Sequence, residues 1–366
     1  MQLNDFASIV LYLSAFLAAI VFAYIGQKKN LKFMCALAII VPVLLAGFRY
    51  TAGTDSMTYR TLYEEIGTEK PEITEWRVSS GSLEPFVVYA SVIGNALHLP
   101  PSFLFICFAT ITTGFFYLTT KLFSKKRAWL LYGMLILIVF PESLNMMRQL
   151  AANSIQVFVL AHIFSEHRKN KRVRITPIIA LLALSVCLHY SSLLLLPVFA
   201  LPFIIKHIRG HTLTLLLCIF IGACILAFPA LLKFVIDLGI LSNRHYETFM
   251  EMPGSLVNVK FFAAAILSGV LIANYCRTQK LFYKQYSLLM LLGTAYAAVG
   301  FYSGYLGRLA MFFWIIIAMF IGKFICQLFE KENHRVAVCS AVAIGYFVLY
   351  FCVLGFNAIM PYDFAL

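Results

Sequence analysis

The stretch FASIVLYLSAFLAAIVFAYIGQKKNLK, residues 6–32, sets the fold class. Residues 6–26 are almost entirely apolar, and basic side chains follow at Lys28, Lys29 and Lys32. An apolar run of about 20 residues is long enough to cross the roughly 30 Å hydrocarbon core of a bilayer as a helix. Because no positive charge precedes the run, we expect an uncleaved anchor whose N-terminus lies outside.

The same pattern recurs along the chain of 366 residues, of which 61% are hydrophobic and 12% charged. Soluble domains carry about 25% charged residues. The sequence therefore predicts an all-α polytopic membrane protein with about 12 transmembrane helices, built as a single domain over residues 1–366. The predicted spans are 6–26, 31–48, 102–122, 128–141, 145–165, 175–188, 190–205, 213–232, 258–276, 286–304, 309–328 and 336–357.

Basic residues predict the orientation, because cytoplasmic loops of membrane proteins are enriched in lysine and arginine. One topology places 20 of the 29 basic residues inside, together with only three acidic ones. Both termini are then outside, as for a multi-pass protein of a bacterial inner membrane. The net charge of +13 is thus explained by basic residues in the predicted cytoplasmic loops. We expect no nucleic-acid partner. The nine cysteines lie in apolar runs without spaced pairs, so neither disulfides nor a metal site are predicted.

Two parts of the sequence are apolar but too short to cross the membrane fully. Residues 84–98 span only about 22 Å as a helix, so we expect a half-inserted or interfacial helix beginning at Glu84 and Pro85. The runs 175–188 and 190–205 are predicted to form a hairpin whose tip, residues 188–192, stops below the outer surface. Outer loops are expected at 49–83 and 233–258.

Polar residues gather at the predicted outer helix ends, and charged groups at membrane depth usually serve function. After the run 31–48, Gly53 permits a tight turn, and Thr54 or Asp55 is predicted to cap a short amphipathic helix. The candidate site residues are Arg49, Gly53, Asp55, Tyr59, Glu84, Asn145, Arg148, Gln149, His189, Tyr190, Arg244, Tyr305 and Arg308.

Arg148 lies in the predicted first turn of its span, where a cation opposes the helix dipole. We therefore expect an anion beside it. Three arginines at one outer edge, Arg49, Arg148 and Arg308, suit a diphosphate, since guanidinium groups bind phosphate oxygens bidentately and keep their charge. Neighbouring tyrosines suit sugar rings or a prenyl chain. No nucleotide-binding loop, metalloprotease motif or nucleophile elbow is found in the sequence, and no cofactor is expected.

Five segments resemble the EpsG family, which belongs with the Wzy-type polymerases of bacterial surface polysaccharide. They occur in the family's order, and the likeness covers most of the chain. They are GFRYTAGTDSMTY (47–59), RQLAANSIQVF (148–158), LHYSSLLLLPVF (188–199), GRLAMFF (307–313) and MPYDF (360–364).

The resemblance implies a GT-C-like helical fold and metal-independent glycosyl transfer at the outer face of the inner membrane. The substrate would be an undecaprenyl-diphosphate-linked repeat unit, polymerised into capsule, O-antigen or exopolysaccharide. Implied partners are the bilayer and a chain-length regulator and flippase of the same pathway. Arg148 and Arg308 are expected to hold the leaving diphosphate, with Arg49 sharing this role or orienting a sugar. Asp55, His189 and Glu84 are alternative general bases.

Other functions remain open from the sequence. An O-antigen ligase would use nearly the same chemistry with a different acceptor. A flippase or transporter for the same lipid-linked sugar would need a path open to both sides, and often has internal repeats. No clear repeat is found in the sequence, so the polymerase is the favoured interpretation.

Overall fold

In the computed structural model the described residues are 2–81, 83–168, 174–201, 219, 223, 227, 230, 259–301 and 307–365. Within these ranges the chain is helical, and its only β-type pairing consists of isolated bridges. The chain divides into two compact units. Unit 1 comprises residues 1–162, 174–193 and 318–366, and unit 2 comprises residues 163–173 and 194–317.

Thirteen α-helices lie within the described residues. They are α1 (Asp5–Lys29), α2 (Lys32–Gly47), α3 (Ser56–Thr68), α4 (Pro71–Ser79), α5 (Pro85–Ala96), α6 (Ser102–Phe123), α7 (Ala128–Ile138), α8 (Met147–Arg168), α9 (Ile175–Leu188), α10 (Val259–Thr278), α11 (Leu281–Ala298), α12 (Met311–Leu328) and α13 (Glu332–Phe347). Helix α4 lies where the sequence predicted only an outer loop.

The described residues also include 3₁₀-helical and π-helical segments. Short 3₁₀ segments occur at Phe140–Leu144, Val299–Phe301, Arg308–Ala310 and Phe356–Ala358, and a longer one at Tyr190–Ala200. A π-helical turn, Val348–Val353, extends α13. Five described helices are long and apolar enough to cross a membrane: Asp5–Lys29, Ser102–Phe123, Val259–Thr278, Arg308–Leu328 and Glu332–Val353. The predicted span 213–232 lies almost wholly outside the described residues.

The ends of α1 follow from its sequence. The Asn4 side chain caps its start by accepting a hydrogen bond from the Ala7 amide at 2.8 Å. Asp5 lies in the first turn and two lysines lie in the last, as the helix dipole favours. Asn30 then ends the helix in the left-handed region at φ 53°.

Unit 1 is a helical bundle whose polar segments meet at one end. Helix α1 packs against α2 and α7, α2 against α6, and α7 against α13, while α5 contacts α3, α6 and α9. The chain's last residues return to the start of this bundle. The Leu3 amide donates to the Tyr362 carbonyl, and the Ala365 amide to the Phe48 carbonyl. The N-terminus, the end of α2 and the C-terminus therefore lie at the same end of unit 1. In unit 2, α10 packs along α11.

Candidate functional site

A buried carboxylate, Glu84, lies at the centre of the candidate site. Glu84 directly precedes α5, and Pro85 occupies the first helical position, where its missing amide hydrogen costs nothing. The Glu84 side chain does not cap its own helix. Only 5% of the residue is exposed. A buried carboxylate needs charged or hydrogen-bonding partners, and Glu84 has both.

Each oxygen of Glu84 contacts a different side chain of unit 1. Oε2 forms an ion pair with Nη1 of Arg148, in the first turn of α8. Oε1 lies 2.7 Å from Nδ1 of His189. Glu84, Arg148 and His189 are more than 40 positions apart in the chain, and together with Tyr59 they form one cluster, called the Glu84 cluster.

The surroundings of Glu84 keep it ionised. Burial pushes the pKa of Glu84 upward, but the hydrogen bond with His189 and the positive charge of Arg148 outweigh that effect. The resulting pKa lies below the ordinary value for glutamate. At neutral pH Glu84 is therefore a carboxylate, able to accept a hydrogen bond from the histidine ring.

Tyr59 holds the other side of Arg148. The Nε of Arg148 donates to the Tyr59 hydroxyl at 2.8 Å, and its guanidinium carbon lies 5.2 Å from the centre of the Tyr59 ring. Tyr59 is on the buried face of α3 with Tyr63 and Ile66, as expected for the predicted amphipathic helix. The sequence also predicted an anion beside Arg148. The structure supplies one from the protein itself, the Glu84 carboxylate.

His189 lies at the break between α9 and the 3₁₀ segment, where the predicted hairpin tip falls. Its backbone is extended, and its amide donates to the Ser185 carbonyl at 3.1 Å. The next residue, Tyr190, donates from its hydroxyl to the Leu83 carbonyl at 3.3 Å, which ties the tip to the start of α5. The His189 side chain is 24% exposed. With Nδ1 engaged by Glu84, the second ring nitrogen, Nε2, is the one left for chemistry.

Arg49, predicted to share the diphosphate or to orient a sugar, lies in the interior of unit 1. Only 2% of the residue is exposed. Its guanidinium donates to the Ser56 hydroxyl and the Ala46 carbonyl, both at 3.3 Å, and lies 4.5 Å from the centre of the Phe105 ring. Arg60, which is not among the predicted site residues, lies 5.2 Å from the same ring. The Arg49 side chain is therefore enclosed by protein and is not exposed to a cleft.

Although enclosed, Arg49 is close to the Glu84 cluster. It contacts Ser56 on α3, and Tyr59 follows one turn later on that helix. Burial lowers the pKa of Arg49 to about 10, so it remains charged at neutral pH. Its Nη2 is buried without a hydrogen-bond partner. Arg49 therefore supports α3 from the interior of unit 1.

Gly53 forms the tight turn that the sequence predicted. Its φ of +94° strongly disfavours other residues, and a Cβ would lie 2.2 Å from the Leu144 carbonyl oxygen. Asp55 occupies the predicted cap position of α3, but its side chain makes no cap bond, and its Oδ1 lies 3.2 Å from the Thr54 hydroxyl.

A second polar group connects the Gly53 turn with the C-terminal residues. The Thr54 hydroxyl donates to Asn145, whose amide donates to Asn357 at 3.1 Å. Asn357 in turn donates to Glu142 at 2.9 Å. Glu142 and Asn357 were not selected from the sequence, because neither lies in a motif that suggests chemistry.

Asp363 fastens the C-terminal segment to the loop after α2. Its carboxylate accepts from the Thr51 amide at 2.7 Å and from the Thr51 hydroxyl at 2.6 Å. The Gly53 amide donates to the Ala358 carbonyl at 2.9 Å. The MPYDF segment thus shapes the loop that leads into α3 and Tyr59.

The remaining predicted site residues lie elsewhere or outside the described chain. Gln149 is buried beside Arg148 at the start of α8. Arg308 belongs to unit 2, on a one-turn 3₁₀ helix that packs against α11. Arg244 and Tyr305 lie outside the described residues. Within the described ranges, no group of three or more His, Cys, Asp or Glu side chains is arranged to hold a metal ion.

The fold and the cluster together define a helical membrane protein with a buried charged site. Five described helices are long and apolar enough to span a bilayer, and a buried carboxylate binds an arginine and a histidine at one end of the unit 1 bundle.

Comparison with known families then identifies the chain. The EpsG family model matches residues 32–364, nearly the whole sequence, so the protein belongs to the EpsG family. Membership indicates a membrane protein of polysaccharide biosynthesis. Neither the curated proteins nor the solved structures gave a match.

Proposed function

We propose that this protein polymerises lipid-linked oligosaccharide repeat units of a surface polysaccharide. The donor is an undecaprenyl-diphosphate-linked glycan, and the reaction is a glycosyl transfer at the outer face of the inner membrane. EpsG family membership supports polysaccharide biosynthesis. About 12 spans, a GT-C-like arrangement and external termini belong to the same proposal.

The observation that carries the proposal is the 2.7 Å contact between His189 and Glu84. In the reaction, an acceptor hydroxyl oxygen attacks the anomeric carbon of the donor sugar. The bond from that carbon to the diphosphate oxygen breaks, and the diphosphate leaves with the electron pair. The proton of the hydroxyl must pass to a base. A neutral histidine whose Nδ1 donates to a carboxylate has an unprotonated Nε2 that can take it.

The geometry favours His189 over the other two candidate bases. Both oxygens of Glu84 are already engaged, one by Arg148 and one by His189. Asp55 faces the Thr54 hydroxyl instead of a histidine. Glu84 then acts as the residue that orients His189. General base catalysis of this kind contributes about 10²–10⁴-fold in rate.

Arg148 has two tasks in this proposal. Its Nε and Nη1 hold Tyr59 and Glu84, which fixes the position of the guanidinium. Its Nη2 is the nitrogen left to contact a diphosphate oxygen, and the side chain is 27% exposed. Because Glu84 offsets its charge, Arg148 alone is a weak diphosphate clamp. Arg308 stays a prediction from the sequence, and an alanine variant tests it separately.

The test uses purified protein, a synthetic undecaprenyl-diphosphate-linked repeat unit and no nucleotide sugar. We expect oligomers of the repeat unit, and we expect His189→Ala to form them at least about 100-fold more slowly. His162→Ala is the matched control, because His162 lies on α8 about 21 Å further along the helix than Arg148. Polymerisation by His189→Ala at the rate of the control would exclude His189 as the base.

The same assay separates the rival functions. A ligase would transfer one glycan to a different acceptor without lengthening it. A flippase would move the lipid-linked unit across a proteoliposome membrane without forming any glycosidic bond. Either result with active wild-type protein would replace the polymerase proposal.

A further inference from the structure

Unit 1 contains an apolar groove at a distance from the Glu84 cluster. It is a cavity of about 580 Å³ between α1, α7 and α13. Its apolar walls include Leu13, Leu17, Met134 and Ile344, and one end is lined by Tyr24 and Glu332. The volume falls in the range of sites that bind small molecules, about 300–1,000 Å³.

The groove has the length of one membrane leaflet. Along α1 it runs from Leu13 to Tyr24, which is about 16 Å at 1.5 Å per residue. Half of a roughly 30 Å hydrocarbon core is about 15 Å. A lipid chain entering at the Tyr24 end would therefore reach about the middle of the bilayer.

Charged and aromatic residues surround the Tyr24 end. Nη1 of Arg335 lies 3.0 Å and Nε of Arg127 3.4 Å from Oε2 of Glu332. Lys28 donates to the Tyr24 hydroxyl at 2.8 Å. Two cations therefore contact one carboxylate and a third contacts Tyr24, leaving an excess of positive charge at the mouth of the groove.

The aromatic residues at this end are typical of a membrane interface. The rings of Tyr24 and Trp129 pack edge to face, with centroids 4.9 Å apart. Tyrosine and tryptophan concentrate at the level of lipid head groups, where one side of the ring is apolar and the other wet. The groove thus has an apolar body, an interfacial rim and a basic mouth in the order that a phospholipid requires.

We propose that this groove binds an anionic phospholipid, with one acyl chain between α1, α7 and α13 and the phosphate beside Lys28, Arg127 and Arg335. Basic pockets between membrane helices bind anionic head groups in this way. The mouth lies at the Lys28 end of α1, whereas the Asn4 end of the helix is tied to the C-terminal segment near the Glu84 cluster. The occupant is therefore a lipid of the opposite leaflet from the reaction, not the sugar-carrying substrate.

The head-group preference is tested by native mass spectrometry of the full chain in nanodiscs of equal parts phosphatidylglycerol and phosphatidylethanolamine. We expect the wild-type protein to retain phosphatidylglycerol in preference to phosphatidylethanolamine. Each basic group near the head group is worth about fivefold in affinity, so Arg127→Gln with Arg335→Gln should lower the preference about 25-fold. Glu332→Gln should raise it about fivefold. Lys280→Gln, a basic residue exposed in a loop of unit 2, should leave it unchanged.

The position of the acyl chain is tested by filling the groove. Ser340 lines it, so Ser340→Phe should abolish lipid retention. Val10→Phe adds the same bulk on α1 at an exposed position outside the groove, and should retain the lipid. Equal retention of both lipids by the wild type would overturn the proposal, as would a fall in phosphatidylglycerol preference in Glu332→Gln. A wild-type dimer that Ser340→Phe dissociates would show that a second copy occupies the groove, which also overturns it.

Discussion

Glu84→Gln separates the two roles that the structure gives to one carboxylate. The substitution keeps the size of the side chain but removes its charge. Arg148 then loses its ion-pair partner, and His189 loses the acceptor that fixes its ring. We therefore expect effects on both stability and activity, each of which has its own magnitude and its own measurement.

The loss of stability follows from the burial of the pair. Removing one partner of a fully buried pair costs about 3–5 kcal/mol, whereas exposed pairs are worth about 0–1 kcal/mol. The Glu84 side chain is 7% exposed and that of Arg148 27%. An intermediate loss of about 2–3 kcal/mol is expected for Glu84→Gln. Equilibrium unfolding in mixed micelles measures it, and adding Arg148→Met should recover most of the loss.

The same pair predicts a dependence on pH. The pKa of Glu84 in the folded protein lies below its ordinary value. Its contribution to stability is therefore fully present above the ordinary pKa of glutamate, about 4.3. It is lost as the pH falls below that value and through the lowered folded pKa. The stability difference between wild type and Glu84→Gln should thus shrink only in acid.

The loss of activity follows from the histidine tautomer. The side-chain amide that Glu84→Gln introduces can donate to Nδ1 of His189, which would place the ring proton on Nε2 and prevent that nitrogen from acting as a base. A reduction of at least about 100-fold in polymerisation is expected. Glu84→Gln with His189→Ala should be no slower than His189→Ala alone. Near-normal stability and activity in Glu84→Gln would refute the assignment of this carboxylate to both partners.

Three further substitutions test the segments that position the cluster. Gly53→Ala should lower the yield of folded protein in membranes, because its Cβ would meet the Leu144 carbonyl at 2.2 Å; normal yield would contradict the turn. Asp363→Ala should destabilise the chain by about 2–3 kcal/mol in the same unfolding assay, since Thr51 loses two charge-assisted hydrogen bonds. Tyr59→Phe should cost about 1 kcal/mol and slow polymerisation less than tenfold, because the ring remains in place; a loss as large as that of Glu84→Gln would give Tyr59 a chemical role.

Local signals in the sequence determined where the helices lie. Helix α9 ends at Leu188, the predicted boundary, and α5 begins at Pro85. Hydropathy and proline placement act over a few neighbouring residues, so they can be read without knowing the fold. Helix α4 was missed because its residues carry no apolar run. The cap position at Asp55 was found, but its side chain lies beside the Thr54 hydroxyl and makes no cap bond.

The sequence by itself determined the membrane class, the family resemblance and a set of polar residues at helix ends. It also predicted an anion beside Arg148, since a cation opposes the dipole at a helix start. Only the tertiary structure decided that this anion is Glu84, that Glu84 also holds His189, and that Arg49 is enclosed. Those pairings depend on the packing of α5 against α9 and of α3 against α5. Contacts between residues 64 and 105 positions apart are set by the summed packing of the intervening helices, which no local pattern records.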